Sequence, residues 1–537
     1  MFRTVAVTGI CLALLLGFAA PGRADVVIDW NKVTLDAIRV DKTSPPKASR
    51  ALAIVHVAIF DAINSGSGGP YEHYIVAPVQ FFAPISVEAA AAAAAHDSLV
   101  ELFPAQKAAF DAALATSLAA IPDGPEKTSG ISWGESVAKQ ILGARSEDGS
   151  DTVVDYGAPT GANWWAPTPP GFAPALLPGW GLVEPWSMTS GSQFRQGPPP
   201  TPLSPEYTVA FQEVERLGRS NSQVRTADQT QIALFWADGG GTATPPGHWH
   251  VIAQGISQER NLGLLENARL FALLAIAGAD AAIVSWDHKF TYNNWRPVTG
   301  IQHADTDGNP ATTADPGWTS LIGTPPFPSY TSGHSTFSSA SARLLALFFG
   351  TDQISFSTTS DGLPGVTRSF TRLSDAAEEA GQSRIYGGIH WQFDNQAGLA
   401  SGQALGEHVF FTLLTPLDAE PGACVPGPHT LCLAGGRFKV EATWQTESAH
   451  GPASAASLGG DSGSFWFFDP DNSELTVKVL DACVGFDRFW VFASGLTNVE
   501  VLIKVTDTET RHVRQYFNPQ GKPFAPIQDT DAFDTCP

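Results

Sequence analysis

Three short phrases in the middle of the chain carry the residue types that bind a tetrahedral oxyanion. In chain order they are Lys289-FTYNNW-Arg296-Pro297, Ser332-Gly333-His334 and Arg384-IYGGI-His390, all within about a hundred residues. A tetrahedral dianion or trianion needs several fixed cations around it, and two arginine forks with one lysine supply them with complementary geometry. The chain is acidic overall, with a net charge of −22. A local group of cations runs against this negative charge and is therefore more informative than it would be in a basic protein. The phrases predict a site for a tetrahedral oxyanion.

The second and third phrases also predict how their residues meet the anion. Ser332 precedes a helical run and can cap it, while the Gly333 amide, with no side chain in the way, faces an anion at the positive helix end. His334 then lies beside the oxyanion. Gly387-Gly388 interrupts the helical period of the third phrase, so that its arginine and its histidine can face one centre.

Together the phrases resemble the K-x6-R-P, P-S-G-H and S-R-x5-H signature of the vanadium-dependent haloperoxidase and type 2 phosphatidic acid phosphatase superfamily. The similarity is to bacterial chloroperoxidase-like members; it covers the helical half, and residues after Pro421 lie outside it. The resemblance implies a haloperoxidase-like helical bundle with His334 as acid/base. It also implies five oxyanion-binding residues: Lys289, Arg296, Ser332, Gly333 and Arg384.

The motifs alone do not choose between the two branches of this superfamily. In the oxidase branch the residue matching His390 is the ligand to vanadium, and in the phosphatase branch it attacks phosphorus. Trp286 and Phe327 match residues that line the halide side of chloroperoxidases, although ordinary core aromatics would look the same. Thr331 occupies the place where the family motif usually has proline, which predicts a less rigid loop and puts the affinity for the anion in doubt.

The resemblance favours a secreted vanadate-dependent haloperoxidase that oxidises chloride or bromide with hydrogen peroxide, for a small organic acceptor. The alternative enzyme is an exported acid phosphatase that needs no vanadate and forms a phosphohistidine at His390. A third possibility is a non-enzymatic adhesion or matrix protein, in which the C-terminal region binds a partner of unknown identity.

Other polar residues have structural explanations beside functional ones. Asp394, four residues after His390, either holds the other ring nitrogen of that histidine or is a surface carboxylate. His56 lies on an apolar helical stretch and is most simply a core histidine. His248 and His250, in the sequence GHWH, are capping or packing residues rather than metal ligands.

A calcium loop is a weaker alternative for one polar turn. Asp305, Asp307 and Asn309 have the spacing of calcium ligands, but Gly308 is misplaced and the glutamate expected at the twelfth position is missing. We expect a polar turn.

The elements that position these residues are mainly helical. We expect a helical catalytic domain over residues 25–415, a linker over 416–428 and a small β-sandwich over 429–537. The chain between Tyr156 and Pro205 is rich in Pro, Gly and Trp, which predicts a long ordered loop over the core. The predicted helices are Ala48–Asn64, Val87–Leu102, Ala105–Ala120, Thr226–Ala237, Gly263–Ser285, Ser335–Phe349 and Gln396–Leu414. The predicted strands are Arg437–Trp444, Gly463–Phe468, Leu475–Leu480, Arg488–Phe492 and Val499–Val505.

The ends of the chain indicate export. Residues 1–24 combine Arg3, an apolar stretch and the small-residue sequence Gly22-Arg23-Ala24, which is typical of a cleaved signal peptide and predicts a secreted or periplasmic protein. The longest later apolar run, Leu270–Ala279, is far shorter than the ~20 residues of a membrane span. The acidic composition also argues against nucleic-acid binding.

Four cysteines remain after the signal peptide, all in the last quarter of the chain: Cys424, Cys432, Cys483 and Cys536. Export favours two disulfides over a zinc site, whose standard ligand spacings these cysteines do not match. Three pairings are possible, and the close spacing of the first two cysteines favours a local loop between them.

Overall fold

The computed structural model describes residues 25–79, 81–157, 159, 161–417, 424–446 and 449–536. The predicted export segment lies outside these residues. The described N-terminal half is helical and the C-terminal part forms two sheets, so the fold class predicted from the sequence is confirmed.

Each of the seven predicted helices is present; Val87–Leu102 has the predicted ends, and the other six are shifted at one end or both. The longest, α9 (Leu264–Tyr292), continues seven residues beyond its predicted end and carries Lys289 in its last turn. The helices are α1 Val26–Asp41, α2 Pro45–Gly66, α3 Val87–Leu102, α4 Lys107–Ala119, α5 Pro125–Ala144, α6 Pro205–Leu217, α7 Ala227–Phe235, α8 Thr244–Arg260, α9 Leu264–Tyr292, α10 Pro297–Gln302, α11 Gly333–Phe349, α12 Leu373–Tyr386, α13 Gln392–Thr412 and the short α14 Cys483–Phe486.

Five long helices were not predicted: α1, α5, α6, α8 and α12. Their sequences are mixed in polarity, or begin with Pro or Gly residues that are typical of turns. Pro at the first helical positions of α5, α6 and α8 is nevertheless compatible with a helix, because the missing N–H would have no partner there.

Helix α9 runs through the middle of the main core, which also contains α2, α3 and α11. By length and composition α9 is the one described helix that could cross a membrane, but its most apolar window is entirely buried inside the protein. Helices α11 and α13 approach closely: a Cβ at Gly402 would lie 2.4 Å from the Thr336 carbonyl oxygen. Ser332 N also donates to Asp394 O at 3.0 Å, so the N-terminal end of α11 lies beside the first turn of α13.

The C-terminal part is an antiparallel β-sandwich of two five-stranded sheets. One sheet has the order β11-β10-β4-β3 with β5 also paired to β4, and the other has the order β12-β9-β8-β7-β6. Apolar residues on alternate positions of the strands form its own core. The strands are β3 Thr430–Leu433, β4 Phe438–Gln445, β5 His450–Pro452, β6 Ser454–Ser457, β7 Ser462–Trp466, β8 Leu475–Asp481, β9 Phe489–Gly495, β10 Glu500–Asp507, β11 Val513–Asn518 and β12 Ile527–Phe533.

The sandwich is closed by two disulfides, Cys424–Cys432 and Cys483–Cys536. They confirm the preferred pairing. The sandwich meets the far end of α13, where Phe411 stacks on Phe517 with ring centroids 5.0 Å apart.

A small hairpin in the helical half was not predicted. Strands β1 Phe356–Thr359 and β2 Thr367–Phe370 pair in antiparallel register. They pack near α8 and α12, and Thr358 of β1 reaches the side chain of His248.

Candidate active site

The three phrases meet around one cavity of about 300 Å³ in the helical half. Gly333, His334, Arg384 and His390 line it. Lys289, Arg296 and Ser332 are fully buried and lie behind this lining. Residues almost a hundred positions apart are therefore neighbours, as the motif hypothesis requires.

Lys289 and Arg296 are both bound to the backbone that leads into the second phrase. Lys289 Nζ donates to the carbonyl oxygens of Pro328 and Ser329, at 3.1 Å each, and of Thr331. Arg296 Nε donates to Phe327 O at 2.8 Å. These bonds hold the two cations in fixed positions beside the loop.

His390 is held between a cation and a carboxylate. Its Nδ1 lies 2.9 Å from Asp394 Oδ2, and its Nε2 lies 2.9 Å from Arg296 Nη1. Arg296 can only donate, so Nε2 carries the lone pair and Nδ1 carries the proton that Asp394 accepts. This is the tautomer that a histidine needs in order to ligate or attack through Nε2.

Asp394 is therefore a positioning residue and not a surface carboxylate. It is fully buried in the first turn of α13, and its Oδ2 also accepts from Ser329 Oγ and from Trp391 N. Burial raises its pKa to about 6, although these hydrogen bonds and the nearby cations oppose the rise. Its spacing of four residues from His390 was the signal that pointed to it.

The second phrase opens helix α11 as predicted. Ser332 is the N-cap and its Oγ accepts from Ser335 N at 3.3 Å, so its own hydroxyl hydrogen remains available to an anion. Gly333 and His334 occupy the first two helical positions and line the cavity. Burial, and then the charge of Arg384, lowers the pKa of His334 well below its usual value. This shift favours the neutral imidazole.

The third phrase turns as its glycines predict. Helix α12 ends at Tyr386, and Gly388 has a φ of +76°. A Cβ at Gly388 would meet Gly218 O at 2.3 Å, so only glycine fits this turn. The turn places Arg384 and His390 on the same cavity.

An oxyanion fits the unpaired donors of this cavity. Arg296 Nη2 and Arg384 Nε are buried donors, and neither has a hydrogen-bond partner in the described part of the chain; the buried ring nitrogen His334 Nε2 has none there either. Burial is the main cause that lowers the pKa of Arg296 to about 9 and that of Arg384 to about 10. Buried donors without partners are rare in folded proteins, and a bound oxyanion would supply both the acceptors and the missing negative charge.

The two aromatic candidates lie together at the cavity. The rings of Trp286 and Phe327 are 4.9 Å apart and both residues line it. Leu176 of the long loop also lines the cavity, and its carbonyl accepts from Trp286 Nε1 at 3.1 Å. The predicted loop between Tyr156 and Pro205, whose described residues before α6 contain no α-helix, therefore covers part of this site. Thr331 is fully buried.

The remaining candidates lie elsewhere. Among the described residues no group of three or more His, Cys, Asp and Glu side chains is arranged to hold a metal ion. His56 is fully buried and its Nε2 lies 3.1 Å from Asn31 Oδ1, as expected of a core histidine. Asp307 accepts from Asn309 N and Thr312 Oγ1 in a polar turn.

Sequence comparisons match the helical half to known proteins. Residues 269–418 match the family model described as the VCPO second helical-bundle domain. The chain is also 26% identical to vanadium chloroperoxidase of Curvularia inaequalis over 494 residues, which covers 69% of this chain and 79% of that protein.

Structural comparisons agree. The chain is similar to the first bacterial vanadium-dependent iodoperoxidase, with a TM-score of 0.63 and 29% identity over 74% of this chain and 97% of the other. It also shares its fold with a holo-type bacterial vanadium-dependent chloroperoxidase, with a TM-score of 0.53 and 19% identity over 68% of this chain and 92% of the other.

Proposed function

We propose that this chain, which is similar to vanadium haloperoxidases over its helical half, is a secreted vanadate-dependent haloperoxidase. It oxidises halide with hydrogen peroxide and delivers the product to a small organic acceptor. The names of its relatives support the oxidase branch, and the two disulfides support an oxidising compartment.

The observation that carries this proposal is the set of unpaired donors around His390 Nε2. In the proposed assignment Nε2 is the ligand to vanadium, and Asp394 fixes its tautomer. Arg296 and Arg384 would bind the vanadate oxygens, assisted by Ser332 Oγ and the Gly333 amide at the positive end of α11. Lys289, whose Nζ already donates to three backbone carbonyls, would contribute its positive charge. When bound, vanadate supplies the Lewis-acid chemistry that activates hydrogen peroxide toward halide.

The protein's own groups then supply charge and protons. Conversion of peroxide and halide to hypohalous acid and water consumes one proton, and we assign its transfer to His334 Nε2, which has no hydrogen-bond partner among the described residues. The cationic cluster stabilises the negative charge that develops on oxygen. The Trp286 and Phe327 rings provide a partly desolvated place for the halide beside Lys289, whose Nζ lies 4.9 Å from the Phe327 ring centroid.

Halogenation of a phenolic dye with peroxide tests the proposal. Purified protein should halogenate the dye only after addition of orthovanadate, and inorganic phosphate should compete with vanadate. A His390→Ala variant should lose the activity. His408→Ala, which changes a histidine toward the other end of α13 that bonds Ser187 O, should keep it.

The phosphatase alternative gives the opposite pattern. Hydrolysis of a chromogenic phosphate ester that is inhibited by vanadate and lost in His390→Ala would identify a phosphohistidine enzyme. Folded protein without either activity would favour the binding-protein alternative.

A further inference from the structure

His248 of the GHWH sequence has no part in the site described above, although it lies close to it. It is buried in the first turns of α8 and both ring nitrogens have partners. Nδ1 lies 3.2 Å and 3.3 Å from the two carboxylate oxygens of Asp238, and Nε2 lies 3.2 Å from Thr358 Oγ1. The ring stacks on Trp236 at 4.6 Å. His248 is therefore fixed from three sides.

Asp238 lies at the edge of the oxyanion cavity. It is the only carboxylate among the described residues that line the cavity, where it accompanies His334, Arg384 and His390. Its backbone has a φ of +42°, an unusual conformation for a residue other than glycine. The side chain is 4% exposed.

A carboxylate in this position opposes the binding of an oxyanion. Its negative charge repels the ligand, and it is a competing partner for Arg384. Its charge acts on Arg384, since it partly offsets the burial that lowers the pKa of that guanidinium. Yet the described residues show no ion pair between them: Arg384 Nη1 donates to Trp236 O at 2.6 Å, and Nε has no partner.

We propose that His248 is a positioning residue that binds the Asp238 carboxylate away from Arg384 and so keeps Arg384 available to the oxyanion. This inference rests on the proposed oxyanion site. The Nδ1–H of His248 donates to the carboxylate and turns it toward α8, while Thr358 and Trp236 fix the ring that does so.

The other charged neighbour of His248 does not compete for this role. Asp361 accepts from Arg39 Nε at 2.8 Å and from Ala243 N at 2.8 Å. Because that carboxylate already has its own cation, Asp238 is the partner that depends on His248.

Two substitutions of His248 separate the two ring nitrogens. In His248→Asn the amide nitrogen takes the place of Nδ1 and keeps the bond to Asp238. In His248→Gln it takes the place of Nε2 and keeps only the bond to Thr358. The readout is the Kd of inorganic phosphate, measured by titration calorimetry on the purified full-length protein without vanadate.

We expect His248→Gln to raise the phosphate Kd roughly tenfold, since a charge-assisted Asp238–Arg384 contact would have to be broken on binding. His248→Asn should stay within about twofold of the parent protein. The double variant Asp238→Asn/His248→Gln should recover to within about twofold as well, because no carboxylate remains to compete. His250→Gln, on the same helix but bonded to Asn31, is the matched control and should not change the Kd.

An unchanged Kd in His248→Gln contradicts the proposal. So does a double variant as weak as His248→Gln, because the loss would then not pass through the carboxylate. If the parent protein binds neither phosphate nor orthovanadate, the proposed function itself fails, and that result is distinct from either of these.

Discussion

The helical half and the β-sandwich both bury charged side chains, but the two regions differ in how completely these side chains are hydrogen-bonded. In the sandwich the buried Asp507 accepts from Arg437 Nη2 at 2.7 Å, from Thr535 Oγ1 at 2.5 Å and from Glu509 N at 3.0 Å. In the helical half Arg296 and Arg384 each have a guanidinium nitrogen that makes no hydrogen bond within the described part of the chain. A buried charge whose hydrogen bonds are complete is explained by the fold, whereas one with unused donors indicates a ligand.

The largest effect expected from this comparison is on activity. His390→Ala should lower kcat/KM for halogenation roughly a thousandfold or more, because the proposed ligand of vanadium is lost. Arg437→Ala should leave kcat/KM unchanged and instead lower the free energy of unfolding by about 3–5 kcal/mol, because Asp507 stays buried without its cation. Steady-state kinetics and denaturant unfolding of both variants measure this. Loss of activity in a folded Arg437→Ala protein would contradict the statement that this buried pair serves stability alone.

The disulfide that closes the longer loop should matter for the sandwich alone. Cys483 and Cys536 are 53 residues apart, and replacing both by alanine should destabilise the sandwich by about 4 kcal/mol, because the unfolded chain regains loop entropy. The phosphate Kd of the helical half should not change. Limited proteolysis and titration calorimetry of the same variant test the two statements, and a weakened phosphate site would show that the halves are coupled.

Oxyanion binding should stabilise the helical half. Phosphate at one hundred times its Kd should add about 2.7 kcal/mol to the free energy of unfolding, since the ligand binds only the folded site. Scanning calorimetry should show the rise in the transition of the helical half and not in that of the sandwich. Arg384→Ala should lose most of the rise, and a rise that survives in this variant would place phosphate elsewhere.

The smallest expected effect concerns Asp394, the carboxylate that binds Nδ1 of His390. Asp394→Asn keeps the side-chain shape but removes the charge that fixes His390, so vanadate affinity should fall roughly 10–100-fold. Asp280→Asn is the matched control. That carboxylate is equally buried but binds Trp186 N and Ser187 N, and its loss should lower stability without changing affinity. Equilibrium dialysis against orthovanadate gives both values, and equal affinities in the two variants would remove Asp394 from the site.

Much of the site could be predicted from the sequence because binding chemistry depends on residue type. The three phrases named the cations and both histidines that meet at the cavity, and the serine that caps α11. Helical periodicity likewise gave seven helices and the class of the fold. Mixed polarity concealed the five other helices, because their buried faces are defined only by the neighbours against which they pack.

What the sequence determined is which groups are available: the basic residues, the histidines, the glycine turn after α12 and the cysteines of the sandwich. Only the tertiary structure decided which of these residues contact one another. Asp394 is a partner of His390 rather than a surface residue because the first turn of α13 is buried against the loop at Ser329. His248 reaches Asp238 because α8, the segment after α7 and a hairpin more than a hundred residues later converge. A hydrogen bond requires a separation of about 3 Å between donor and acceptor. The distance between residues that are remote in the sequence is set by the packing of whole helices and strands, so the sequence alone does not give it.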